Sequence, residues 1–275
     1  LLNPGEPQVN EGANGMSGDE SIGRCPNGSG GAMNTTAYTT GNPSPGADND
    51  CPSGPTPTPT ATATAIVETI YNIQYTTDPS GDSPYDGQTV TTSGVVTAFE
   101  DGSRYMFIQD GDGAWNGIML FDFGGWTGYN IGDLLDVTGE VDEYNGMTEL
   151  VNCSITVSAT GQTLPNFTTL TTLAVNDEMY ESVLVEVTNV IVTEEMDTYN
   201  EWDIDDTSGP VVVNDYYTYT YVPTLNDNLD FVRGPVEYSF SNYKIEPRFD
   251  ADIQVASAVT PTPTPTGPTP TVPPQ

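Results

Sequence analysis

One stretch of this chain occurs twice, and that repetition limits the folds open to it. Gly132-Asp133-Leu134-Leu135-Asp136-Val137-Thr138-Gly139-Glu140-Val141-Asp142-Glu143-Tyr144 is echoed by Asn226-Asp227-Asn228-Leu229-Asp230-Phe231-Val232-Arg233-Gly234-Pro235-Val236-Glu237-Tyr238. The offset is 94 residues at Asp136/Asp230 and again at Tyr144/Tyr238. A copied segment at that spacing implies two copies of one small module. The pair is bracketed by two Thr-Pro tracts, residues 55–64 and 260–274. Alternating proline fixes φ and favours an extended left-handed helix of about 3.1 Å per residue, so the first tract spans about 30 Å. Thr packed beside Pro is also the composition of O-glycosylated stalks.

From Ile66 to Ala256 apolar, β-branched and aromatic residues recur with period two, the signature of strands. The first copy predicts strands over 88–99, 104–109, 117–121, 133–142 and 148–157. Its turns fall at Asp101-Gly102, Asp112-Gly113 and Asn145-Gly146, all favourable hairpin dipeptides. The second copy predicts strands over 182–194, 200–205, 210–215, 229–240 and 243–247, with turns near Ser208-Gly209 and Ser241-Asn242. No helix is expected beyond a short turn within 172–181. Five short antiparallel strands per copy point to a Greek-key barrel of the OB type. The expected fold is therefore all-β: two tandem OB-like barrels, preceded by an irregular β-sandwich fragment and joined to extended Thr/Pro-rich linkers. The boundaries follow the composition: 1–54 irregular, 55–65 linker, 66–160 first barrel, 161–179 connector, 180–256 second barrel and 257–275 linker.

Charge narrows the partners. Lys plus Arg number 5 against 39 Asp plus Glu, a formal charge of −34. The excess lies in the strand-rich block, where Arg104, Arg233, Lys244 and Arg248 face 33 acidic residues. Nucleic-acid binding relies on Lys and Arg displacing counterions from phosphates, so this surface disfavours nucleic acid. There is no histidine, which removes imidazole bases, His-dependent triads and the common zinc sites. No run of 18 apolar residues predicts a membrane span. No signal-peptide pattern is visible in these residues, so secretion is expected from other features.

Cys25 and Cys51 flank a polar loop of low hydrophobicity, and a disulfide between them is expected. Closing a loop of about 27 residues contributes about 3 kcal/mol in the chain-entropy model. Cys153 is left over in a strand-like run and reads as a buried free thiol. Four N-glycosylation sequons begin at Asn27, Asn34, Asn152 and Asn166, of which Asn34 and Asn166 lie in loop-like stretches. Thr56, Thr58, Thr60, Thr262, Thr264 and Thr266 of the tracts are the candidate O-glycosylation sites.

Two segments carry a family resemblance. Ser21-Ile22-Gly23-Arg24-Cys25-Pro26 leading to Pro45-Gly46-Ala47-Asp48-Asn49 resembles the closing part of the lamin-tail-like domains of secreted multidomain proteins. Ile70-Tyr71-Asn72-Ile73-Gln74-Tyr75, Gly87-Gln88-Thr89-Val90 through Ala98, and Phe107-Ile108-Gln109-Asp110-Gly111-Asp112-Gly113 resemble the OB-fold region of large secreted nucleases and related surface proteins. There that region often follows a lamin-tail-like domain, and the order is the same here over residues 17–254. The family's chemistry belongs to a separate metal-dependent endonuclease/exonuclease/phosphatase domain whose site needs histidine. That domain is absent from this sequence, so no enzymatic activity is carried over.

Three constellations stand out as possible sites. Asp110-Gly111-Asp112-Gly113 and Asp203-Ile204-Asp205-Asp206 offer carboxylates for weak Ca²⁺ binding. Neither has the twelve-residue loop pattern with its final Glu, so polar hairpin tips are the alternative and no cofactor is required. Trp115, Trp126, Tyr129 and Trp202, with Tyr216 and Tyr217, offer a stacking face for sugars or bases, the alternative being core and inter-module packing. Two functions follow. The first is a non-catalytic, secreted, glycosylated structural module that self-associates with identical subunits in an extracellular surface assembly or filament. The second is a nucleic-acid- or polysaccharide-binding accessory region of an extracellular nuclease.

Overall fold

The computed structural model describes residues 21–24, 38–41 and 65–256. The chain divides into two compact units, Leu1–Thr62 and Ala63–Gln275. In the first unit, β1 (Ser21–Arg24) pairs antiparallel with β2 (Tyr38–Gly41). Cys25, Cys51, Asn27, Asn34, Thr56, Thr58, Thr60, Thr262, Thr264 and Thr266 lie outside the described residues, as do the linkers apart from Ala65.

The second unit is all-β and holds both copies. It opens with β3 (Ile66–Val67) and a short helix α1 (Ile70–Gln74). The first barrel follows: β4 (Thr89–Ala98), β5 (Tyr105–Gln109), β6 (Gly117–Phe121), β7 (Leu134–Tyr144) and β8 (Met147–Ala159). The strands run β4-β5-β6-β8-β7, and β7 pairs back onto β4 to close the ring. Only β6–β8 is parallel within that ring. After β9 (Thr168–Leu170) and two 3-10 turns, Leu173–Val175 and Glu178–Tyr180, the second barrel repeats the scheme. Its strands are β10 (Leu184–Glu194), β11 (Trp202–Asp205), β12 (Val211–Val213), β13 (Asn228–Ser239) and β14 (Asn242–Ile245). They run β10-β11-β12-β14-β13, with β13 returning to β10 and β12–β14 parallel. A last strand, β15 (Ile253–Val255), borders β13. Both rings are five-stranded Greek-key barrels of the OB type.

The repeat recorded in the sequence is the fourth strand of each barrel. Leu134–Tyr144 maps at 94 residues onto the first eleven residues of Asn228–Ser239. The residue two before each strand takes a positive φ, Gly132 at 91° and Asn226 at 72°. Both make the same bonds to the first strand. Gly132 N–H donates to Val96 O, as Asn226 N–H donates to Val192 O. A bulge follows at Val96/Ala98 in one barrel and Val192/Glu194 in the other. Bulges bend the first strand so that it serves both neighbours of a small closed ring.

Alternation places the cores. On β7, Leu135, Val137 and Val141 point inward to meet Val90, Ile108 and Leu120. In the second barrel Val187, Ile204, Val213, Val232 and Ile245 do the same. Each fully buried side chain of this size contributes about 1.5–3 kcal/mol.

Two expectations are corrected. Residues 70–74 form a helix that the strand-dominated reading missed. Its N-cap Thr69 accepts from Asn72 N–H, and Ile70 and Ile73 fall three apart on the face that plugs the first barrel. The last hairpin turns at Phe240-Ser241, with φ of 50° and 67°, one residue before the expected Ser241-Asn242.

Candidate functional site

OB barrels bind oligonucleotides and oligosaccharides on the outer face of their second and third strands, flanked by the loops after strands one and four. In the first barrel that face is β5 and β6. Met106, Ile108, Ile118 and Leu120 point into the barrel. Tyr105, Phe107, Gln109, Gly117, Met119 and Phe121 point outward by alternation.

The second barrel covers this face. Tyr216 stacks on Tyr105 with centroids 3.9 Å apart and planes 7° from parallel. Tyr217 is buried edge-on to Phe107, and its hydroxyl donates to Tyr105 O at 3.3 Å. Gln109 Oε1 accepts from Leu184 N–H at 2.7 Å. A Cβ on Gly117 would lie 2.1 Å from Ser182 O, so the backbones meet there with no room for a side chain. Both flanking loops are engaged too. Glu100 accepts from Thr218 N–H and Oγ1–H at 3.0 and 2.7 Å, and Gly146 packs on the Tyr238 ring. Further polar locks join the barrels: Arg248 Nη1 donates to Thr97 O at 3.1 Å, and Glu181 accepts from Thr148 N–H at 2.9 Å.

The corresponding face of the second barrel is acidic and only partly exposed. Across the ladder, Glu194, Asp203, Val212, Lys244 and Glu237 fall in one register row. The loop after its first strand adds Glu195, Asp197 and Glu201. Lys244 is 1% exposed, donating to Glu201 at 2.6 Å and Ser239 at 2.8 Å. Burial, then the neighbouring Glu194, Glu201 and Asp197, push Asp203 up to about 6. Arg233 and Arg248 are also occupied, converging on the buried Asp252 at 2.8 and 2.7 Å.

The candidate residues are dispersed rather than gathered. Trp126 closes the first barrel from inside, its indole N–H donating to Leu120 O, and Tyr129 packs edge-on against it. Trp202 is in the second core, bonded to the Tyr219 hydroxyl. Of the three tryptophans only Trp115 stays at the surface, half-buried like Tyr129. Asn152 and Asn166 are exposed, and the Asn166 amide donates to Asp112 at 2.8 Å. Cys153 is a half-buried free thiol, its pKa pushed up to about 12, chiefly by burial.

The acidic hairpin motifs are architectural caps. Asp110 accepts from Ile70 N–H, the first residue of α1, at 2.9 Å. Asp206, 96 residues on, accepts from Thr172, which precedes the first 3-10 turn. Each ties the end of the second strand to the short helical segment entering its barrel. Among the described residues no group of three or more Asp, Glu or Cys is placed to hold a metal ion, and no helix is long and apolar enough to cross a membrane.

No protein-family model matches the chain, and no curated protein matches it. Among solved structures it is similar to the Stn1–Ten1 complex of S. pombe, at 14% identity and a TM-score of 0.26, over 37% of this chain and 85% of that one. It is similar to the telomere capping protein Ten1 from Saccharomyces pombe at 16% identity and 0.24, over 34% and 84%. A murine DNA binding protein bound to double-stranded DNA aligns at 9% identity and 0.29, over 58% and 95%. The barrel assignment above rests on strand order and register, not on these likenesses.

Proposed function

We propose that this chain is a non-catalytic structural module: a rigid two-barrel block, secreted and glycosylated, that works in an extracellular assembly by self-association. One observation carries the reading. The face on which an OB barrel receives ligands is spent, in the first copy, on holding the second. A domain built to capture a strand would keep that face free. Here rings, a glycine contact and buried hydrogen bonds fix one barrel on the other, which suits a load-bearing spacer. The acidic face of the second barrel repels phosphate chains and supports the same reading. The alternating Thr-Pro composition of the tracts suits spacers and glycan acceptors.

The test has two arms. Electron microscopy of the native material is expected to find regular polymers, and mass spectrometry of the secreted chain to find sugar on the tracts. A gel shift at low salt is expected to find no DNA binding. Tight, salt-sensitive retention of DNA, with only monomers on the grid, would overturn the proposal in favour of the accessory binding module.

A further inference from the structure

A cleft of about 410 Å³ opens beside the junction of the two barrels, within the range of roughly 300–1,000 Å³ typical of small-molecule sites. The turn after α1 forms one wall with Asp78 and Gly81. Trp115 of the β5–β6 loop stands at another, with Asp177 and Glu178 from the second 3-10 turn. Tyr238 and Tyr243 of the last hairpin complete it, their centroids 4.6 Å apart.

Each wall brings a specific chemistry. Tyr243 O–H donates to Glu178 Oε2 at 2.8 Å, which fixes that carboxylate and leaves Oε1 with no partner among the described residues. Asp78 and Asp177 are likewise each held through one oxygen, by Ser80 and by Met179 N–H. The backbone of Trp115 is held by its main-chain N–H, which donates to Met179 O at 2.8 Å, and its φ is 67°. A bulky residue in the left-handed region is an outlier, and such strain gathers at binding sites. Beyond Trp115 the rings continue along α1. Tyr75 meets it edge-on at 5.6 Å, and Tyr71 stacks on Tyr75 at 5.5 Å, both partly exposed.

Aromatic faces beside fixed carboxylate acceptors suit a ligand with apolar C–H faces and many hydroxyl donors. No Lys or Arg lines the cleft, so phosphorylated, sulfated or uronic ligands are opposed. A divalent cation is opposed by the lack of three converging carboxylates. We propose that this cleft binds a neutral oligosaccharide, with Trp115 as the platform, Asp177 and Glu178 accepting from sugar hydroxyls, and Tyr75 and Tyr71 extending the track. The site goes beyond the structural role and does not depend on it.

Saturation-transfer NMR on the 275-residue chain, with maltose, cellobiose and mannobiose each at about 1 mM, tests it. At about pH 8.5, where Glu178, pushed up to about 7 by burial, is ionised, transfer to ring protons of at least one sugar is expected, lost in Trp115→Ala and weakened about tenfold in Glu178→Gln, where a charge-assisted acceptor is removed. Phe123→Ala, an exposed ring beyond the far end of β6 and outside the cleft lining, should keep the signal. Tryptophan emission of the unaltered protein gives a readout free of folding effects. Trp126 and Trp202 are buried, so a sugar-induced change reports Trp115. No transfer and no emission change with any of the three sugars overturns the proposal, as does transfer that survives Trp115→Ala.

Discussion

Gly117→Ala should separate the two barrels. The added Cβ would sit 2.1 Å from Ser182 O and 2.8 Å from Val183 N, both backbone atoms that cannot rotate away. Ordinary contact begins near 3.4 Å, so the strands must part by 3.4 − 2.1 = 1.3 Å. The neighbouring bond from Leu184 N–H to Gln109, now 2.7 Å, lengthens to about 4.0 Å and is lost. Orphaning buried polar partners costs about 1–3 kcal/mol, and overpacking adds about 1–3 kcal/mol. The sum, roughly 2–6 kcal/mol, is a large share of the roughly 5–15 kcal/mol that holds a native protein together. Urea denaturation followed by tryptophan emission measures it, since Trp126 and Trp202 report one barrel core each. The variant should either lose that stability in one transition or unfold in two steps as the barrels uncouple. Gly113→Ala, in the adjoining loop, meets no atom within 4 Å but has a φ of +80°, so only the left-handed backbone cost of about 1–2 kcal/mol applies. A loss below about 1 kcal/mol for Gly117→Ala, in a single unchanged transition, would refute the seam argument.

Three further outcomes follow from buried groups. Glu149 and Glu178 are pushed up to about 7, first by burial and then by neighbouring carboxylates or, for Glu178, against a restraining bond from Tyr243, while Glu181 and Glu246 are raised well above the ordinary value. Folded-state values above the unfolded one mean the fold binds more protons, so stability is full below about pH 4.5 for these groups and is lost as pH rises through about 7. The melting temperature should therefore fall between about pH 5 and about pH 8, and Glu181→Gln should flatten that slope; a melting temperature that rises across the window contradicts the reasoning. Asp252→Asn leaves Arg233 and Arg248 facing each other without their shared carboxylate, and should cost about 3–5 kcal/mol by denaturant titration. The Cys153 thiol, pushed up to about 12, should resist iodoacetamide near pH 8 in the folded chain and react once unfolded; rapid native labelling would show the site to be open.

Much of the fold was legible because its determinants are local. Period two located every strand of both barrels, since one face of each must be apolar. Asn145-Gly146 forms its turn with φ of 55° and 89°, as that dipeptide favours. The helix at 70–74 escaped because five residues carry little periodicity and part of its cap, Asp110, is forty residues away. The turn at Phe240-Ser241 escaped because strand register, not turn propensity, put a phenylalanine at positive φ. The site was hardest to read. Trp126 and Trp202 looked like candidates for a binding face, and closure of each barrel drew them inside. Glu178, Tyr238 and Tyr243 gave no signal, because only the docking of one barrel on the other brings them to Trp115.

That docking sets two tendencies of the chain against each other. Thirty-three carboxylates with four cations in the strand-rich block repel one another and favour expansion. Much of the seam is made by groups that carry no charge: Tyr105 on Tyr216, Tyr217 on Phe107, and backbone against backbone at Gly117. At Glu181, which bonds across it, burial favours the protonated form. Added salt should act in the same direction on the exposed carboxylates by screening them, and much less on Glu181, which is shielded from the solvent. The two effects are therefore separable: salt should raise the melting temperature at every pH, while Glu181→Gln should raise it only toward the alkaline side.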